Sequence, residues 1–114
     1  MGKQETEMLK GVLEGVVLAV LAQRPAYGYE ITASLRERGF VDIAEGTVYA
    51  VLVRIEQRGL VGVEKVPSEK GPPRKVYTLN AQGRQGLDEF WGTWSFLAER
   101  LEQLHAEDTR EEGA

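Results

Sequence analysis

The chain has 114 residues, of which 42% are apolar and 28% charged, and it contains no cysteine. This length suits one domain with a single modest core, and the composition is typical of a folded protein. Without cysteine, disulfides, thiolate metal sites and cysteine nucleophiles are excluded. A single histidine, His105, also argues against a His-rich metal site or a serine–histidine–acid triad.

The apolar stretches are too short for a membrane span. The longest run, residues 16–22, falls far below the roughly 20 residues that a spanning helix needs, and the following Gln23-Arg24-Pro25 does not resemble a signal-peptide cleavage region. No paired carboxylates, activated nucleophile or metal cluster is recognisable. We therefore predict a cytoplasmic protein that is not an enzyme and uses no cofactor.

The net charge of −4 averages two oppositely charged parts of the chain. Residues 46–87 hold seven basic and three acidic side chains, for a net charge of +4, whereas residues 88–114 carry −6. A basic segment can bind phosphate while the rest of the chain remains acidic, although an uneven solvated surface would give the same pattern.

Three helices are predicted in the first half of the chain. Apolar residues at three- and four-residue steps indicate helices over residues 5–22, 27–38 and 45–58. Gly39 and Gly59 follow the second and third helices, as expected of left-handed C-caps. The buried face predicted for the third helix consists of Val48, Val51, Leu52 and Ile55.

A β-hairpin is predicted after the third helix. Two alternating runs, residues 60–66 and 74–79, flank a loop rich in proline and glycine. Asn80 is a favourable N-cap for a last helix from Ala81 to about Ala106.

Three helices, a hairpin and a terminal helix predict a mainly α, α+β fold. It is a winged helix-turn-helix with a two-stranded wing and a long C-terminal dimerisation helix. We assign residues 1–80 to a DNA-binding domain, 81–106 to the dimerisation helix and 107–114 to a disordered acidic tail.

The order and spacing of several short motifs resemble those of PadR-like transcriptional regulators over roughly residues 9–104. No single motif is specific, but together they are. The matching segments are Tyr27-Gly28-Tyr29-Glu30-Ile31, Glu45-Gly46-Thr47-Val48-Tyr49 with Leu52, Arg54 and Ile55, Gln57-Arg58-Gly59-Leu60-Val61, Arg74-Lys75-Val76-Tyr77-Thr78-Leu79 and Ala81-Gln82-Gly83-Arg84. The single terminal helix resembles the small subfamily that includes multidrug sensors.

This resemblance implies a homodimer that binds a pseudo-palindromic operator in double-stranded DNA and usually represses transcription. In some members phenolic acids or flat lipophilic drugs release the DNA. Two residues depart from the family pattern. Val53 stands where a basic or polar residue is usual, and Glu45 places a carboxylate at the start of the recognition helix, where it would repel a nearby phosphate.

Eight residues are predicted to contact DNA. On the third helix they are Thr47, Tyr49, Ala50 and Arg54, and in the hairpin they are Lys70, Gly71, Arg74 and Lys75. Arginine can reach guanine or phosphate, and a basic hairpin tip suits contact with the backbone or minor groove. Two alternatives stay open: Tyr49 packs under the preceding helix, and Arg54 is an ordinary surface arginine.

The terminal helix carries an apolar seam with the 3–4 spacing of a coiled coil, which predicts self-association about a two-fold axis. Its members are Leu87, Phe90, Trp94, Leu97, Leu101 and Leu104. Trp91 and Trp94 have two open interpretations: they line a pocket that stacks a planar aromatic molecule, or they only fill the dimer core.

A different function class competes with the DNA-binding regulator. A winged helix can also serve as a protein–protein interaction module without DNA. Val53 on the outer side of the third helix and the acidic total charge favour that alternative.

Overall fold

The computed structural model describes the backbone of residues 2–113 and the side chains of residues 2–108; Ala114 lies outside the described residues. Residues 2–113 form five helices and three strands. They are α1 (Lys3–Lys10), α2 (Leu13–Gln23), β1 (Ala26–Tyr27), α3 (Gly28–Glu37), α4 (Glu45–Gln57), β2 (Val61–Val66), β3 (Arg74–Leu79) and α5 (Ala81–Gly113). The predicted winged helix-turn-helix with a long terminal helix is confirmed.

The first predicted helix, residues 5–22, is two helices in the structure. Gly11 ends α1: its backbone N–H donates a hydrogen bond of 3.3 Å to the Met8 carbonyl, and the Val12 N–H donates one of 3.0 Å to the Leu9 carbonyl. No residue of α1 is buried, whereas α2 buries side chains along its length. The apolar periodicity runs through the break without interruption, so the prediction of one continuous helix was wrong at Gly11.

Helices α3 and α4 form the helix-turn-helix within one or two residues of the predicted bounds. Gly39 and Gly59 follow them with φ of +109° and +74°, a left-handed conformation that favours glycine. Arg36 of α3 holds the turn between the two helices in place, because its side chain donates two hydrogen bonds, of 3.2 and 2.9 Å, to the Ile43 carbonyl. The orientation of α4 therefore depends on α3.

The sheet has one more strand than predicted. Strands β2 and β3 form the wing hairpin, with Val61 opposite Leu79 and Val66 opposite Arg74. Strand β1 pairs on the other edge of β3, giving the antiparallel order β1-β3-β2. Two residues are too few for an alternating pattern, so β1 could not be predicted from the sequence. Its position joins the wing to the start of α3.

Helix α5 begins as predicted and ends later. The Asn80 side chain caps it by accepting a hydrogen bond of 2.8 Å from the Gly83 N–H. The helix continues to Gly113, so the predicted end near Ala106 was wrong. Residues 107–112 contain neither glycine nor proline, so nothing stops the helix.

The long α5 gives the molecule an elongated shape of 66 × 30 × 20 Å. One core joins α2, α3, α4, the sheet and the base of α5; its most deeply buried side chains are Val17, Ile31, Leu35, Val48, Leu52, Ile55 and Leu87. Within residues 2–113, no helix combines the length and apolarity needed to cross a membrane.

A close contact at Gly15 fixes where α5 leaves this core. The Phe90 ring lies flat on α2, so a β-carbon built on Gly15 would come within 2.3 Å of a ring carbon. Only glycine fits beneath the ring, because any other residue would have to push the phenylalanine away.

We expect Gly15→Ala to lower the free energy of unfolding by about 1–3 kcal/mol, the usual cost of overpacking a core. Gly92→Ala is the matched control, since it also lies inside a helix but has no atom within 4 Å of its β-carbon position. That substitution should raise stability by up to about 1 kcal/mol through helix propensity. Denaturant unfolding measures both, and equal effects would contradict the proposed contact.

Candidate functional site

The outer face of α4 presents the residues that the sequence predicted for DNA contact. Val48, Val51, Leu52 and Ile55 are buried as predicted, which turns the other side of the helix to solvent. Thr47, Ala50 and Arg54 recur at three- and four-residue steps and are exposed. Together with Lys10 from α1 they line a shallow depression of about 440 Å³.

The two arginines of the α4 region differ in their charge partners. Arg58 follows the helix and forms an ion pair with Glu14 of α2. Arg54 has no ion pair among the side chains of residues 2–108. Its guanidinium is therefore available to an external anion.

The wing brings a second group of cations beside α4. Gly71 lies in the loop between β2 and β3, next to Lys70, and Arg74 and Lys75 begin β3. Lys75 Nζ lies 3.5 Å from Glu56 Oε1, so an ion pair connects the wing to the last turn of α4. Of the eight predicted DNA contacts, the structure thus places four on α4 and four on the adjacent wing.

A groove of about 600 Å³ separates the wing from the helix-turn-helix, and all four tyrosines of the chain line it. They are Tyr27, Tyr29, Tyr49 and Tyr77. The Tyr49 ring covers Gly28 so closely that a β-carbon there would lie 2.7 Å from it, yet the side chain stays 43% exposed. Tyr49 therefore packs on the preceding helix and still faces the groove.

Tyr77 is the buried member of this group. Burial raises the pKa of its hydroxyl above the usual value for tyrosine, and electrostatic repulsion from Glu56 and then Tyr49 adds to the effect. Because ionisation is disfavoured at this position, the Tyr77 hydroxyl is neutral at physiological pH. The charged side chains that line the groove are Lys70, Arg74 and Lys75 of the wing, and the Tyr77 hydroxyl adds no charge to them.

A second groove, of about 580 Å³, lies against α5 on the side of α1 and α2. Its walls are mostly apolar, and its two charged side chains are Glu5 and Arg38. Trp91 and Trp94 both line it, and they are 46% and 47% exposed. The remaining lining residues are Met8, Leu9, Val12, Val16, Gly39, Phe40 and Phe90.

The apolar seam of α5 divides into a buried base and an exposed outer part. Leu87 is 1% exposed, so it belongs to the core of the chain and offers almost no surface to a second copy. Phe90 is half-buried and packs on Gly15. The exposed members, named here the α5 stripe, are Trp94, Leu97, Leu101 and Leu104.

The fold agrees with a comparison against protein families. The model of the transcriptional regulator PadR-like family matches residues 17–89, which run from α2 through the wing to the base of α5. The chain belongs to the PadR-like family. Its members are transcription regulators and not enzymes, as the sequence motifs predicted.

Solved structures of regulators resemble the whole fold. A PadR-like regulator from Bacillus cereus is 36% identical, with a TM-score of 0.75 over 86% of this chain and 95% of that one. A Streptococcus transcriptional regulator is 39% identical, with a TM-score of 0.75 over 85% and 95%. A PadR family regulator from Eggerthella lenta is 32% identical, with a TM-score of 0.76 over 89% and 88%.

Three residues at these surfaces were not predicted as site residues. Tyr29 lies in the tyrosine groove, Glu56 pairs with a wing lysine, and Lys10 borders the depression beside α4. Tyr29 was noted only as part of a family motif. Lys10 and Glu56 had no sequence signal, because their roles come from contacts between elements that are distant along the chain.

Proposed function

We propose that this PadR-like regulator is a homodimeric repressor that binds a pseudo-palindromic operator and is released by an aromatic small molecule. The observation that carries the DNA-binding part is the pair of arginines without carboxylate partners among residues 2–108. Arg54 lies on the exposed face of α4, and Arg74 lies on the adjacent wing.

In this proposal α4 enters the major groove. Thr47, Ala50 and Arg54 share the outer face of the helix, and Tyr49 lies at its edge toward the wing. An arginine on such a face can read guanine or hold a phosphate. The wing then approaches the flanking backbone or minor groove with Lys70, Gly71, Arg74 and Lys75, where positive charge matters more than side-chain identity.

The α5 stripe supports a dimer. Its four apolar side chains are each 47% to 62% exposed on a helix that extends from the body, an arrangement that costs solvation free energy in a monomer. A second copy related by a two-fold axis would cover the stripe with the same stripe. Two recognition helices would then face successive major grooves, about 34 Å apart.

DNA binding by this surface should be sensitive to salt and to both arginines. We expect Arg54→Ala and Arg74→Ala each to weaken binding about 5-fold to 30-fold, and loss of a phosphate contact should lower the slope of log affinity against log salt by about 1. The measurement is fluorescence anisotropy with labelled DNA from upstream of the protein's own coding region, compared with a scrambled fragment at several salt concentrations.

Arg100→Ala is the matched control, because Arg100 lies on the outer part of α5 above the Phe96 ring and far along the helix from its base. Its affinity should equal that of the wild type. Unchanged affinity in both Arg54→Ala and Arg74→Ala would refute the assigned surface. Equally weak binding to both DNA fragments would favour the alternative function, in which the winged helix binds a protein partner and not DNA.

The dimer has its own test on the α5 stripe. Leu101→Glu places a carboxylate in the centre of the proposed interface, where burial without a partner is costly, so we expect monomers at micromolar concentration. Gln103→Glu adds the same group half a helical turn away and should leave the dimer intact. Sedimentation velocity distinguishes the two, and a wild-type monomer would contradict the proposal.

The groove against α5 suits a flat apolar ligand. Its volume falls within the usual range for small-molecule sites, and two indole rings offer stacking surfaces. Glu5 would favour a cationic ligand and Arg38 a carboxylate. A ligand releases DNA only if it prefers a dimer shape that does not fit the operator.

Ligand binding should be visible in tryptophan emission. A planar cationic dye or a phenolic acid should quench the wild-type fluorescence, and Trp94→Ala should abolish the quenching by removing a stacking surface. Phe96→Ala, an aromatic substitution outside the groove lining, should keep it. Undiminished quenching of the remaining Trp91 in Trp94→Ala would place the ligand elsewhere.

A further inference from the structure

Two tyrosines and one arginine form a layered unit at the mouth of the tyrosine groove. The rings of Tyr27 and Tyr29 stack with centroids 5.6 Å apart and an interplanar angle of 10°. The Arg74 guanidinium carbon lies 5.2 Å from the centroid of the Tyr29 ring, within the range of a cation–π interaction. The wing arginine thus rests on an aromatic surface supplied by another part of the fold.

A hydrogen bond and a strand pairing hold Tyr27, and with it Tyr29, in position. The Tyr27 N–H donates a hydrogen bond of 2.8 Å to Glu30 Oε1, which secures the start of α3 and with it Tyr29. Tyr27 also pairs with Val76 across β1 and β3, so the tyrosines and the first residues of β3 keep one relative position. Tyr29 therefore presents its ring to Arg74 from a well-anchored site.

Two neighbouring cations of the wing, Lys75 and Arg74, contact different partners. Lys75 lies 3.5 Å from the Glu56 carboxylate, which neutralises part of its charge. Arg74 has no carboxylate partner among residues 2–108, and a neutral aromatic ring restricts its guanidinium without removing its charge. Of the two, Arg74 keeps its full attraction for a phosphate and loses less conformational entropy on binding one.

We infer that Tyr29 is a positioning residue for DNA binding: its ring, supported by Tyr27, holds the Arg74 guanidinium ready for a phosphate of the DNA backbone. This inference rests on the proposed function. Lys75 differs from Arg74 because it also forms an ion pair with Glu56 that links the wing to α4. The tyrosine acts through the arginine, so its removal weakens binding while the number of charges facing the DNA stays the same.

The test is a set of full-length variants measured by anisotropy on a labelled random-sequence 30-base-pair duplex over a salt series. Tyr29→Leu should weaken binding about 3-fold to 5-fold with an unchanged salt slope, since an exposed cation–π contact is modest and every charge is retained. Tyr29→Phe should restore wild-type affinity, because it keeps the ring. Arg74→Gln should lower the slope by about 1.

A double-variant cycle separates positioning from a direct contact. In an Arg74→Gln background, Tyr29→Leu should have no further effect, because the group that it positions is absent. Additive losses, or a Tyr29→Phe defect as large as that of Tyr29→Leu, would overturn the inference in favour of a direct tyrosine–DNA contact. Equal affinity of Tyr29→Leu and wild type would also overturn it.

The experiment distinguishes failure of this inference from failure of the proposed function. If the wild type binds no duplex at low salt, the proposed function is wrong. If the wild type binds and Arg54→Ala weakens it while Tyr29→Leu does not, only the inference is wrong. Tyr29 is 46% exposed, so its variants should fold, and thermal unfolding midpoints verify this.

Arg74→Lys tests the same contact by changing the arginine instead of the tyrosine. This variant should bind the duplex with lower affinity and an unchanged salt slope.

Discussion

One asparagine side chain connects the end of the helix-turn-helix to the start of the long helix. Asn80 accepts a hydrogen bond of 2.8 Å from the Gly83 N–H and donates one of 2.9 Å to the Gly59 carbonyl, just after α4. The cap thus satisfies groups at the ends of two helices at once. The direction of α5 relative to α4 depends on this link and on the Phe90 ring packed on Gly15, and both proposed surfaces take their positions from it.

The charges of the proposed DNA face are arranged by tertiary contacts more than by their number. Arg58 and Lys75 are each paired with a carboxylate from another element, while Arg54 and Arg74 are not, within the described side chains. The paired cations join α4 to α2 and to the wing. The other two are left for an external anion, so a basic segment of net charge +4 offers fewer phosphate contacts than its count of lysines and arginines suggests.

Patterns within one element were readable from the sequence, and contacts between elements were not. The buried face of α4 and the Asn80 cap follow from periodicity and capping chemistry. The break at Gly11 left no trace in that periodicity, and the burial of Leu87 depends on how far α5 stays against the core. The tyrosine groove collects residues 27 to 77, and no local pattern predicts such a meeting.

The Phe90 ring belongs both to the contact that anchors α5 and to the lining of the apolar groove. Beyond Phe90 the helix extends away from the core, and the roughly 14 residues from Phe90 to Leu104 span about 21 Å. If α5 tilts by about 5° about Phe90 and stays straight, its outer end moves by about 2 Å. A ligand in the groove would therefore contact Phe90, and a small movement of this ring would be enlarged at the outer end of α5, where the proposed second copy would bind.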